Sequence, residues 1–198
     1  MTHVPFVGLT GGLGAGKSTA LEALERLGAA TLSTDAVVHE LYATPELRDA
    51  VVARWGSDVA PGGVVDRGAV AAHAFATPEE RAWLEGEIWP RVAARIAAWR
   101  EAVAAREPAP AAAVVETPLL FEAGMEGIYD ATVAVVADEA VRAKRAAARG
   151  HVGVDTRAAR QLPQEEKARR ATYTVTNSGT VEELESELSG VLASLRSR

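Results

Sequence analysis

Residues 8–19 read Gly8-Leu9-Thr10-Gly11-Gly12-Leu13-Gly14-Ala15-Gly16-Lys17-Ser18-Thr19. A short apolar run, Val4 to Leu9, leads into this stretch. A helical pattern leads away from it, with Leu21, Leu24 and Leu27 on one face and Gly28 as a stop. Glycine, four residues, then Gly-Lys-Ser is the spacing of a loop that wraps phosphate. Its glycines let backbone N–H groups turn inward around phosphate oxygens. The helix that follows adds unpaired donors and a partial positive charge. Lys17 can reach β and γ phosphates, and the Ser18 hydroxyl can hold Mg²⁺. The expected nucleotide contacts are therefore Gly12, Leu13, Gly14, Ala15, Gly16, Lys17, Ser18 and Thr19, with Ser18 also a metal ligand. The loop uses one of only three lysines in a chain with 21 Lys and Arg. A nucleoside triphosphate is the expected ligand, which leaves kinases, GTPases, motors and switches open.

Composition narrows the class. The chain has 198 residues, one ordinary α/β domain in size, and a net charge of -6. That acidic balance argues against a general nucleic-acid binder. Cysteine is absent, which removes disulfides, thiolate metal sites and cysteine nucleophiles together. A reducing cytoplasm is the simplest fit. The opening residues carry no signal-peptide pattern, and no apolar run is long enough for a membrane helix.

Strand candidates at 29–32, 114–115, 132–137 and 173–176 alternate with helical patterns. A parallel sheet covered on both faces follows, a three-layer α/β/α arrangement. Residues 36–106 read as almost entirely helical and form an inserted lobe. Thr44-Pro45 marks one helix start there. Thr77-Pro78-Glu79-Glu80 marks another with a capping box, and Pro90 is expected to bend or break that helix. A second capping box, Thr180 to Glu183, opens a closing helix with Val181, Leu184, Leu188, Val191, Leu192 and Leu195 in one stripe. The boundaries expected are a core of about 1–35 and 112–198, and a lobe of about 36–110.

Three acidic positions are candidates for chemistry. Asp35 ends the second strand candidate, where a carboxylate can accept a proton from an attacking hydroxyl or cap the next helix. Glu116 ends the third, where it can hold Mg²⁺ through water or cap a turn. Glu122 can meet an acceptor, meet a basic lid, or stand as an exposed helix charge. Residues 142–170 hold nine Lys or Arg against three Asp or Glu. A solvated helix and a lid that closes over polyphosphate both suit that run. The lid would span about 145–170, with Arg145 and Arg149 four apart on one face. Trp83, Trp89 and Trp99 suit the packing of the helical lobe.

In order and spacing, these stretches resemble the dephospho-coenzyme A kinase family across nearly the whole chain. The motifs are the loop at 8–19, Asp35, Val65-Asp66-Arg67 with Phe75, Pro118-Leu-Leu-Phe-Glu122, Arg145 and Arg149, Gln161 to Lys167, and Asn177-Ser-Gly179. The resemblance implies a P-loop kinase fold with a helical acceptor-binding insertion and a lid. It implies transfer of the γ-phosphate of ATP, with Mg²⁺, to the 3′-hydroxyl of dephospho-CoA. It places Lys17, Asp35, Arg145 and Arg149 in catalysis and Asn177 on the nucleotide. Thr10, Asp35, Arg67, Trp89, Leu120 and Glu122 would meet the acceptor. A monomer or small homo-oligomer without nucleic-acid or membrane partners is expected. Three positions depart from the family pattern: Ser33 stands for an Asp, Trp89-Pro90 for His-Pro, and Ala171-Thr172 for Ala-Asp. An indole at 89 could stack on the acceptor's adenine or fill core volume. The alternatives are another small-molecule or nucleoside monophosphate kinase, or a silent nucleotide-binding regulator.

Overall fold

The structure, a computed structural model, describes residues 3–148 and 161–197. The chain divides into two compact units, Met1–Ser33 with Arg100–Arg198, and Thr34–Trp99.

The first unit is built on five parallel strands: β1 (Phe6–Gly11), β2 (Ala30–Ser33), β3 (Ala113–Glu116), β4 (Ala131–Val136) and β5 (Tyr173–Thr176). Their order is β2-β3-β1-β4-β5. The chain leaves β1 toward β2 on one side and leaves β4 toward β5 on the other. Such a reversal opens a crevice at the C-terminal ends of the two adjacent strands.

Alternation along β1 shows why both faces are covered. Val7 and Leu9 point to a cluster with Val114, Val133, Val135 and Val175. That cluster is closed by α1 (Lys17–Arg26) and by the last helix, α8 (Val181–Arg196), through Ala20, Leu24, Leu184 and Leu188. Gly8 and Thr10 point the other way. A Cβ on Gly8 would stand 2.5 Å from Leu120, so a glycine lets that side chain reach the strand. Two further helices belong to this unit, α6 (Glu139–Ala148) and α7 (Gln164–Arg170). The stripe on α8 holds except at Val181, which is 41% exposed beside the cap. Its capping box is complete, Thr180 bonding the Glu183 N–H and Glu183 returning to Thr180 N–H.

The second unit holds α2 (Thr34–Tyr42), α3 (Pro45–Trp55), α4 (Arg67–Ala74) and most of α5 (Pro78–Ala104). Thr44 caps α3 by accepting from Leu47 N–H, and Asp66 caps α4 through Gly68 and Ala69. Pro90 does not break α5, which is helical through all 27 residues. At its start Thr77 accepts from Glu80 N–H, but the Glu80 carboxylate turns to Arg54 and Trp55. The expected capping box is thus half made, because a charged and an indole donor hold the carboxylate instead. Trp55 meets Trp83 edge-on at 4.9 Å and stacks on His73 at 5.7 Å. Trp89 is 56% exposed, so it fills no core volume. No described helix is long and apolar enough to cross a membrane.

Candidate active site

The phosphate-loop stretch forms the turn between β1 and α1. Gly14 and Gly16 have φ of 74° and 89°, the left-handed region that favours glycine. Gly16 is the N-cap of α1 and leaves the first helical N–H groups without a side-chain cap. Ser18, at the start of that helix, is exposed, and Thr19 is half-buried. Lys17 folds over the loop, its Nζ donating to Gly11 O at 3.1 Å and to Gly12 O at 3.4 Å. The amine therefore marks the Gly11–Gly12 end of the loop.

Two arginines of α6 and one asparagine hold the loop from outside. Asn177, 2% exposed after β5, donates from Nδ2 to Ala15 O at 2.8 Å. A Cβ on Gly16 would lie 2.0 Å from that nitrogen, so the asparagine contact requires a glycine there. Arg145 donates to Asn177 O at 2.9 Å. Arg142 donates from Nε to Leu13 O at 3.0 Å. A Cβ on Gly14 would lie 2.6 Å from the Arg142 carbonyl, so α6 rests directly on the loop. Beside the loop is a cavity of about 430 Å³ lined by Gly12, Leu13, Glu139, Arg142 and residues 161–165. Gln164 fixes one wall by exchanging two hydrogen bonds with the Ala137 backbone after β4, at 3.2 and 3.0 Å.

The family model described as dephospho-CoA kinase matches residues 5–183, and its span takes in this loop, α6 and Asn177. The chain belongs to the dephospho-CoA kinase family. The protein named dephospho-CoA kinase from Deinococcus radiodurans is 40% identical over 197 residues, covering 98% of this chain and 94% of its own. The crystal structure of TT1252 from Thermus thermophilus matches with a TM-score of 0.80 at 34% identity, over 98% of each chain. A dephospho-CoA kinase structure from Campylobacter jejuni shares the fold, with a TM-score of 0.64 at 21% identity over 96% of each chain. The α/β kinase fold expected from the sequence is the one observed.

At the dephospho-CoA kinase family's Pro-Leu-Leu-Phe-Glu stretch, the structure gives three of the expected acceptor residues partners within the protein. Thr10, Leu120 and Glu122 were expected at the acceptor. Leu120 is fully buried against Gly8. Thr10 is fully buried too, its hydroxyl donating to Pro118 O and accepting from Lys167 Nζ. Glu122 is neither an exposed helix charge nor bonded to a described arginine. Its Oε1 accepts from Lys167 Nζ at 2.9 Å and from Leu162 N–H at 2.7 Å. Lys167 is wholly buried, and its amine also donates to Pro118 O at 2.6 Å. Burial pushes its pKa below the ordinary lysine value, against the opposing pull of Glu122. Thr10, Pro118 O and Glu122 are thus joined in the interior by a lysine to which the sequence assigned no role. Its signal was scarcity, one of three lysines in an arginine-rich chain.

Glu116 ends β3, 9% exposed, and accepts from Ser33 Oγ at 2.8 Å. This explains one departure from the family pattern. Serine supplies a donor where an aspartate would set a second carboxylate against Glu116. Thr172 is accounted for as well: it exchanges hydrogen bonds with Thr132 on β4, at 3.0 Å each way. Asp35 lies in the first turn of α2, exposed, one residue inside the helix rather than at its cap. Arg67 is exposed at the start of α4. Arg149 and residues 150–160, the middle of the expected lid, lie outside the described residues.

Proposed function

We propose that this chain transfers the γ-phosphate of ATP to the 3′-hydroxyl of dephospho-CoA, giving ADP and CoA, the last step of coenzyme A synthesis. The observation that carries the reading is a phosphate loop with its lysine folded over it, in a chain of the dephospho-CoA kinase family. The bond between the ribose 3′-oxygen and γ-phosphorus forms as the bond from γ-phosphorus to the ADP oxygen breaks. Asp35 orients the hydroxyl and accepts its proton. Lys17 exchanges loop carbonyls for β- and γ-phosphate oxygens, while the loop N–H groups hold the polyphosphate. Arg145 and Asn177 support the Ala15–Gly16 end of the loop, and Arg149 supplies a further cation to the transferring phosphate. The helical unit, with Arg67 and Trp89 on its surface, takes up dephospho-CoA.

The donors offered to a metal are all oxygens, the Ser18 hydroxyl and the Glu116 carboxylate with the nucleotide's own phosphates. That set fits Mg²⁺, which takes few protein ligands and keeps waters. Ser18 would hold it directly and Glu116 through water. When bound, the ion neutralises charge on the β and γ oxygens. Cytoplasmic placement belongs to the same proposal, in keeping with the absence of cysteine.

Exposed Trp89, at a position where the family pattern has histidine, favours one competing reading, a kinase for a different hydroxyl acceptor. The test is ADP release with Mg·ATP, with and without dephospho-CoA, and a mass measurement of the product. Strong stimulation and a product heavier by one phosphate support the proposal. Stimulation by another acceptor alone replaces it.

A further inference from the structure

The sequence points to Arg145 and Arg149 as the arginines of transfer, yet the α6 guanidinium beside Gly12 in the loop is that of Arg142. Three observations locate it. The Lys17 amine, the group that meets β and γ phosphates in such loops, sits on Gly11 O and Gly12 O. The Arg142 guanidinium lies at this same end, 3.5–3.7 Å from the position a Gly12 Cβ would occupy, with its Nε on Leu13 O. Arg145 is instead at the other end, 3.4 Å from a Gly16 Cβ and bonded to Asn177. Arg142 also lines the 430 Å³ cavity beside the loop. Glu139 and Glu165 line the cavity too, and neither is bonded to Arg142 among the described residues.

We propose that Arg142 is a further catalytic residue, donating from its terminal nitrogens to the γ-phosphate of bound ATP while its Nε keeps hold of Leu13 O. One bond to the loop fixes the planar guanidinium, so the remaining donors are aimed at little entropic cost. Charge growing on the terminal oxygens during transfer then meets a fixed cation. The position suits the crevice geometry, since α6 follows β4 and the loop follows β1, the two strands whose exits diverge. The proposal rests on the reading of the chain as an ATP-dependent kinase.

The test compares Arg142→Ala and Arg142→Lys with the wild type by calorimetric titration of Mg·ATP and Mg·ADP without acceptor, and by steady-state transfer. Arg142→Ala is expected to lose about tenfold in ATP affinity with ADP affinity held within twofold. Its kcat should fall about 10²-fold with the acceptor KM unchanged, and Arg142→Lys should recover part of both. Equal losses for ATP and ADP would overturn the proposal, since Arg142 would then only brace the loop. No loss for either would overturn it too. Thermal melting of both variants checks folding, and a misfolded Arg142→Ala leaves the ATP-to-ADP ratio of Arg142→Lys as the deciding measurement. The titrations need no acceptor, so they stand apart from any failure of dephospho-CoA as substrate.

Discussion

The two units place their atypical residues in opposite ways. All the buried polar residues among those described, Thr10, Glu116, Thr117, Thr132, Lys167 and Asn177, lie in the α/β unit. Among the described residues, three of the five large apolar side chains left exposed, Val64, Phe75 and Trp89, lie in the much shorter helical unit. Buried polar groups are costly unless paired, so they are found where position matters more than stability. Here they sit at the strand ends or link the strands to the loop and α7. Exposed apolar groups suit a surface that takes up a ligand with apolar parts. Under the proposed function, one unit holds the chemistry in place and the other receives the substrate.

The sharpest way to break this division is at the loop. Lys17→Ala should cut transfer by about 10³-fold or more in a steady-state assay, with the fold intact by circular dichroism. Substantial turnover would remove the site from the α/β unit. Asp35 opens the helical unit and should behave differently. Asp35→Asn should lower kcat by about 10²-fold while ATP affinity stays within a few-fold. Were melting temperature to fall and kcat to stand, Asp35 would serve only the helix in which it lies.

The same contrast explains what the sequence made legible. The loop at 8–19 could be read because its chemistry is carried by backbone and by neighbours in sequence. The parallel sheet could be read because strands buried on both faces leave short apolar runs such as Val133 to Val136. Long-range pairing could not be read. Nothing near Glu122 announces a partner 45 residues away, and a lysine in Gln-Glu-Glu-Lys-Ala-Arg-Arg looks solvated until α7 is packed on β1. Glu80 misled in a related way. Its spacing from Thr77 is that of a capping box, but Arg54 and Trp55 of a different helix take the carboxylate. Of the two outcomes expected at Pro90, the break does not occur, since α5 carries on through it.

If the polar interior acts as a frame, its buried ion pair should matter for stability more than any surface pair. Lys167→Met leaves Glu122 buried without its cation and should cost about 3 kcal/mol in urea unfolding. Adding Glu122→Gln keeps an acceptor for Leu162 N–H and should recover most of that loss. A double variant no better than the single one would show that Lys167 works chiefly through Thr10 and Pro118 O. The pH dependence has a definite sign. The folded ammonium loses its proton more readily than the unfolded one, so the unfolded chain binds more protons just below the ordinary lysine pKa. Wild-type stability should rise with pH through that window, relative to Lys167→Met.

The smallest effect is expected in the helical unit, at a surface network that looks similar on paper. Glu80 accepts from Arg54 at 2.7 and 3.0 Å and from Trp55 Nε1 at 2.7 Å. Arg54 first, then Trp55, holds its carboxyl below the ordinary range. A depressed carboxylate adds stability above its unfolded pKa and loses it as pH falls through the folded one. Glu80→Gln should therefore lower the melting temperature slightly at pH 7 and narrow the gap between pH 7 and strongly acid pH. The pair is solvated, so screening keeps the change small and salt should shrink it further. A loss as large as that of Lys167→Met would mean that the helical unit, too, depends on a fixed polar centre, and the division between a rigid and a receptive unit would fail.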